Sequence, residues 1–169
     1  MKERPSKYNQ RALQKYSLKP TPIPDGFVLV QDTREQLPLF TRLPSGLTIM
    51  SKKLNNGDYS VLGLENKIAF ERKSSDLFAY CTVERDKTVA KMKRFKSYEF
   101  VGLVIEMKEI EAYQFQAYTK VHPESIRGAI TSFQVRYGVH VYWGSREQCG
   151  RYIMDCATKF YTMKHEVGS

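Results

Sequence analysis

Two short segments and the distance between them constrain this chain most: Gly57-Asp58-Tyr59 and, thirteen residues after Asp58, Glu71-Arg72-Lys73. The second segment continues the apolar stretch Ile68-Ala69-Phe70, which reads as a buried strand. Side chains alternate faces along a strand, so Glu71 and Lys73 share one face and Arg72 takes the other. A carboxylate and an ammonium then stand about 7 Å apart at the Cα level. Asp58, on a neighbouring strand, supplies a second carboxylate, and the three together make a divalent-ion site with a lysine beside it. Either triplet alone is commonplace, a turn in one case and a solvated strand edge in the other. The pair, in this order and on strands, is what carries the information.

The rest of the chain supports a sheet around that strand. Residues 27–32 form a short apolar run typical of a buried strand, and 47–54 and 59–62 alternate well enough for two more. Asn55-Asn56-Gly57 between them is a turn signal suited to a hairpin. Residues 67–72 make the fourth strand, and Ser74 or Ser75 is placed to cap a helix after it. The segment 84–98 reads as a basic helix carrying Arg85, Lys91 and Arg94, and 100–106 is apolar enough for a strand covered on both faces. A short helix over 109–115 and a longer one over 124–137 follow, the latter stopped by Gly138. A strand over 139–143 and a closing helix over 146–164 complete the order. A meander of strands followed by alternating helices and strands implies an α/β domain with a mixed central sheet flanked by helices.

Residues 1–26 stand apart from this pattern. Six basic residues precede Pro20-Thr21-Pro22-Ile23-Pro24-Asp25-Gly26, so the segment reads as a basic arm, helical over 9–18, on an extended proline linker. The folded domain is expected to span 27–169. Across 169 residues, 27 lysines and arginines face 18 acids, a net charge of +9. Such a surface favours a polyanionic partner, nucleic acid first. No apolar run approaches the roughly 18 residues of a spanning helix and no signal-peptide core opens the chain, so a membrane partner is not expected and a cytoplasmic setting is. Three scattered cysteines suit neither a zinc site nor a disulfide framework and read as small core residues. His122, His140 and His165 lack metal-ligand spacing.

Phosphodiester hydrolysis needs a water deprotonated near neutral pH and neutralisation of charge at phosphorus, tasks a carboxylate-bound divalent ion performs. All-oxygen ligands suit Mg2+, or Mn2+ in its place. Asp58 and Glu71 are the expected ligands. Lys73 either orients or deprotonates the attacking water, or stabilises the transition state. Asp32-Thr33-Arg34-Glu35 follows the first strand at its carboxyl end, where functional loops of α/β sheets gather. Asp32 or Glu35 could add a carboxylate to the metal and Arg34 could hold a phosphate or pin the acids; Asp76 is a further candidate.

Residues 30–35, Gly57-Asp58-Tyr59, Phe70-Glu71-Arg72-Lys73-Ser74 and Leu103-Val104-Ile105-Glu106 together resemble the nuclease domain of the XPF/MUS81 family, the ERCC4-type fold. The stretch from Ile130 through the strand ending in Trp143 to the last helix extends the resemblance over about 27–161. It implies a restriction-endonuclease-like (PD-(D/E)XK) core, Mg2+ or Mn2+ dependence, and cutting of DNA near branched, flap or single-strand/double-strand junctions. It implies catalysis centred on Asp58, Glu71 and Lys73, with Asp32, Arg34, Glu35 and Arg72 around them, an arginine at Arg85 on the helix after the active strand, and a homodimer through the last helices and the Trp143 strand. The basic helix 84–98 itself offers Arg85, Lys91 and Arg94 to DNA phosphates, with Arg72 a further expected DNA contact. Asp76 departs from the family pattern, with two residues (Ser74 and Ser75) between it and the lysine motif where the family has three. The tandem helix-hairpin-helix domain that often grips duplex DNA and the helicase motifs that often precede the nuclease are expected to be missing. A stand-alone domain suits a bacterial, archaeal or viral source, and a nuclear setting if the source is eukaryotic. The competing reading is a non-catalytic DNA-binding partner of the same fold. Such partners lose the acids or the lysine, and all three survive here.

Overall fold

The computed structural model describes residues 19–166. The basic arm predicted from the sequence, up to residue 18, lies outside them. Six strands form one sheet: β1 (Val28–Gln31), β2 (Thr48–Ser51), β3 (Tyr59–Val61), β4 (Ile68–Lys73), β5 (Phe100–Ile105) and β6 (His140–Trp143), in the spatial order β2-β1-β3-β4-β5-β6. Pairing is antiparallel at β1–β3 and β3–β4 and parallel at β1–β2, β4–β5 and β5–β6. The expected mixed sheet is therefore present. Helices α1 (Leu77–Cys81), α2 (Arg85–Phe95), α3 (Glu109–Ala112), α4 (Pro123–Tyr137) and α5 (Arg146–Glu166) complete the described fold.

The alternation of β4 and β5 sorts the core into two layers. Ala69, Leu103 and Ile105 face α1, α2 and α4, where Leu77, Met92, Ile126 and Ile130 pack on them. Ile68, Phe70 and Val104 face the other way, against Ile153, Ala157 and Phe160 of α5. Every one of these side chains is buried. Helices on both faces of a largely parallel half-sheet require such two-sided burial. The apolar positions Ile126, Ile130, Phe133, Ile153 and Phe160 thus bury within the chain. Tyr142 stacks on Tyr152, and Trp143 meets Tyr113 edge to face. Cys81 and Cys149 are buried and unbridged, as small core residues. The proline segment packs on α5 instead of standing off it: Thr21 hydrogen-bonds Asp155, and the Tyr161 hydroxyl donates to the Asp25 carbonyl at 3.2 Å.

The expected hairpin between β2 and β3 does not form. β2 pairs with β1 alone, at the sheet edge, and β1 separates it from β3. The turn at Asn55-Asn56-Gly57 carries the chain past β1 instead of reversing it alongside β2. Gly57 has φ +83°, and a Cβ there would lie 3.0 Å from the Phe70 carbonyl oxygen and 3.2 Å from the Ala69 Cβ. Both the backbone conformation and the close approach to β4 demand glycine. Gly57→Ala is expected to destabilise the fold by about 2–3 kcal/mol, read as a lowered urea midpoint with unchanged slope.

Neither Ser74 nor Ser75 caps α1. β4 runs on to Lys73, so the serines form the connection, and Asp76 stands at the N-cap position without capping; its Oδ1 accepts from the Ser74 N–H at 2.8 Å. α4 opens after His122, whose Nδ1 accepts from the Glu124 N–H, and ends at Gly138 with φ +66°.

Candidate active site

β3 and β4 bring the two motifs together. The Asp58 N–H donates to the Phe70 carbonyl at 2.7 Å, and the Asp58 Oδ2 accepts from the Arg72 N–H at 2.8 Å. Asp58 is thereby fastened to β4 on both sides of Glu71. Glu71 and Lys73 project from the same face, as alternation requires, and Lys73 Nζ lies 3.2 Å from Glu71 Oε1. Lys91 reaches the same oxygen from α2 at 2.6 Å. Glu71 is 1% exposed, and its Oε2 has no hydrogen-bond partner among the described residues. Lys73 also pairs with Asp76 Oδ2 at 3.2 Å and lies 4.7 Å from the centre of the Tyr80 ring.

These contacts set the electrostatics. Burial, and next the neighbouring Glu71 charge, push the Asp58 carboxyl up to about 7, against the pull of the Arg72 N–H, Lys73 and Lys91. Burial works to lower the Lys73 ammonium, but Glu71, Asp76 and Asp58 outweigh it and hold the group above its ordinary value. Lys73 is accordingly a fixed cation in this arrangement. The site opens into a cleft of ≈ 290 Å³ lined by Arg34, Glu35, Asp58, Arg72, Lys73 and Asp76, among others. A larger groove of ≈ 560 Å³, between Phe40, Leu43 and α5, holds none of these carboxylates.

Several predicted site residues take other positions. Asp32 is 2% exposed, and both its oxygens are occupied: Oδ1 accepts from the Arg34 N–H and Nε, and Oδ2 from Arg34 Nη2 and the Leu54 N–H. Burial alone would raise its pKa, yet the donors at Arg34 and Leu54 draw it down to about 2. Asp32 is thus a buried anchor for the loop after β2, with no lone pair turned to a metal. Arg34 pins this acid, and its Nη2 also donates to the Leu54 carbonyl, while the side chain edges the cleft.

Arg72 faces away from Glu71, toward the α5 side. Its guanidinium is 10% exposed, 3.2 Å from Glu35 Oε1 and 2.6 Å from Glu106 Oε2, and it also donates to the Leu37 carbonyl. Arg72, expected to contact DNA, thus spends its charge on two acids of the chain while also lining the cleft. Glu35 is its partner, and its Oε1 further accepts from the Leu37 N–H. Lys91 turns inward to Glu71. Arg94 donates to the Asn56 side chain at 2.7 Å, and Arg85 is exposed at the start of α2.

The two carboxylates fit a hard cation. Glu71 Oε2 is a buried acceptor without a donor among the described residues, and burial first, then the Glu71 charge, raise the proton affinity of Asp58. Both features leave acceptor oxygens that a cation could satisfy, beside the Glu71 Oε1 that Lys73 and Lys91 already reach. No group of three or more acidic, histidine or cysteine side chains gathers into a metal cage among the described residues. Two carboxylates suffice for Mg2+, which keeps several waters and completes its octahedron with substrate phosphates.

A family model for the ERCC4 domain matches residues 31–154, from the end of β1 into α5. The chain belongs to the ERCC4 domain family. Two solved structures share its fold: XPF from Aeropyrum pernix, with a TM-score of 0.62 and 22% identity over 79% of this chain, and XPF from Aeropyrum pernix in complex with DNA, with a TM-score of 0.56 and 21% identity over 80%. This chain spans 61% and 65% of those two chains. A search among curated proteins finds no match. The ERCC4 domain here has the restriction-endonuclease-like α/β core. No helix among the described residues is long and apolar enough to cross a membrane.

Three residues of the candidate site escape sequence reasoning. Glu106 ends the conspicuous β5 run, but its pairing with Arg72 needs the parallel register of Arg72 with Val104. Asn56 is read as a turn residue and also receives Arg94. Tyr80 presents its ring to Lys73 and Lys91, and its hydroxyl is buried without a partner among the described residues. No spacing in the sequence ties a helix tyrosine to β4.

Proposed function

We propose that this ERCC4 domain is a divalent-metal-dependent endodeoxyribonuclease that hydrolyses phosphodiester bonds near branched, flap or single-strand/double-strand junctions. The observation that carries the reading is the convergence of Asp58 and the orphaned Glu71 Oε2 beside a lysine held as a cation. Asp58 and Glu71 would hold Mg2+ or Mn2+, which when bound supplies an activated water and neutralises phosphate charge. Lys73, fixed by Glu71 and Asp76, places an ammonium at the edge of the cleft where charge develops on the phosphorane-like transition state. Of the roles the sequence leaves open to Lys73, this geometry favours charge stabilisation over proton abstraction, because three acids hold its proton. Asp32 and Arg34 brace the loops that frame the cleft, as Glu35 and Arg72 do on the other side. The exposed Arg85 and the basic face of α2 give DNA phosphates a surface without sequence readout.

Lys73→Ala is expected to lower the single-turnover cleavage rate of a splayed-arm DNA at least about 100-fold while changing DNA affinity little. Cleavage at the wild-type rate would overturn the role given to Lys73. A homodimer is part of the proposal, and its surface has to lie beyond the buried positions named above. The open edge of β6 is available, with Val135 and Met163 exposed on its flanking helices α4 and α5. A light-scattering mass of two chains at micromolar concentration is expected, and a mass of one chain would remove the dimer.

A further inference from the structure

We infer that Lys91 is a built-in competitor for the cation at Glu71, and that a DNA phosphate drawing Lys91 away couples cation loading to substrate binding. The inference rests on the proposed reading of Asp58 and Glu71 as cation ligands. Two ammonium groups sit on one carboxylate oxygen: Lys91 Nζ at 2.6 Å and Lys73 Nζ at 3.2 Å from Glu71 Oε1, while Oε2 receives neither. A dication arriving at either oxygen shares its ligand with two ammoniums, and like charges at such separations in a buried site repel strongly.

The two lysines are not equally free to leave. Lys73 grows from β4 itself, is 14% exposed and is tied to Asp76 as well. Lys91 reaches in from α2, is 29% exposed, and has Glu71 as its ion-pair partner. One turn to either side of it along α2, Lys87 and Arg94 stand on the same side of the helix at i−4 and i+3, both exposed. A phosphate attracted to that row meets Lys91 at its inner end. Contact with phosphate and contact with Glu71 are thus alternatives for one side chain. Linkage then requires that DNA tighten the cation and the cation tighten DNA by the same factor.

The test is Mn2+ affinity by calorimetry or electron paramagnetic resonance, with and without a splayed-arm DNA carrying phosphorothioate linkages across the junction. Wild type, Lys91→Met, Lys91→Arg and Lys87→Met are compared, with thermal unfolding to confirm that each is folded. In wild type, DNA should tighten Mn2+ about tenfold. Lys91→Met should bind Mn2+ about tenfold tighter without DNA and lose most of that coupling. Lys91→Arg should retain the competition, and Lys87→Met should weaken DNA without changing Mn2+ affinity alone. An unchanged Mn2+ affinity in Lys91→Met overturns the inference and leaves the proposed function standing. So does an equal tightening in Lys87→Met, which would mean bulk charge and not the contact at Glu71. Absence of Mn2+ binding in every variant, with or without DNA, sinks the proposed metal site and the inference with it.

Discussion

Asp58→Asn is expected to abolish DNA cleavage and, at the same time, to raise the melting temperature of the metal-free chain. The two effects have one cause. Asparagine keeps an oxygen for the Arg72 N–H, so the fastening of β3 to β4 survives. It removes the negative charge that burial and Glu71 make costly to hold. The sign follows from linkage. A carboxyl at about 7 in the folded chain, against an ordinary value of 3.8, keeps a proton that the unfolded chain has lost. Stability of the metal-free protein therefore falls as pH rises from about 4 to 7 and levels off above, by up to about 4 kcal/mol less solvent screening. In Asp58→Asn that slope should disappear, and at pH 8 the variant should melt higher than wild type. Mg2+ should raise the melting temperature of wild type and not of the variant, because a ligand of the folded state alone stabilises it. The cleavage rate should drop at least about 1,000-fold, since a ligand carboxylate and its transition-state charge are both lost. Glu71→Gln should match it in activity. Melting curves over pH 5–8 with and without Mg2+, beside a cleavage time course, check all of this. A destabilised Asp58→Asn would mean that the acid is a structural anchor.

The largest stability effect belongs to Arg72. Its guanidinium joins Glu35, from the loop after β1, to Glu106, at the end of β5, with both carboxylates nearly buried. Removing it takes away the cation that Glu35 and Glu106 share and leaves Glu106 only the longer contact with Arg146, at 4.0 Å. Breaking a buried ion pair in this way costs about 3–5 kcal/mol, more than the pair itself contributes to stability. Arg72→Met keeps the aliphatic stem and should show that loss in urea or heat unfolding. Adding Glu35→Gln and Glu106→Gln should restore much of it, because the repulsion goes with the charges. DNA affinity of the folded fraction should change little, whereas a phosphate contact would show as weaker binding and a shallower salt dependence. Full stability with weakened binding in Arg72→Met would reverse the assignment.

What was legible in the sequence was local. The period of two along β4 puts Glu71 and Lys73 on one face and Arg72 on the other, and the structure agrees because β4 is a central, regular strand. What each side chain meets is set by chain closure instead. Arg72 meets Glu35 and Glu106, 37 and 34 residues away in sequence, only once the loop after β1 folds over the end of β5. Asp32 resembles a ligand by its place after a strand; the Leu54 N–H that claims it comes from the far side of β2. The misread hairpin has the same origin. Two alternating segments with an Asn-Gly turn signal a hairpin locally, but β1 has the better claim to both neighbours and lies between them. Lys91 belongs to a helix whose composition suggests an outward basic face, and only the packing of α2 over β4 shows one of its lysines turned in to Glu71.

The measurement that tests the central claim most directly is incision of end-labelled splayed-arm, flap, duplex and single-stranded DNA by the wild-type chain in Mg2+, in Mn2+ and in EDTA. The account predicts cuts near the junctions of splayed-arm and flap DNA in either metal and none in EDTA. Incision that persists in EDTA, or bound junction DNA that stays intact in both metals, would contradict it.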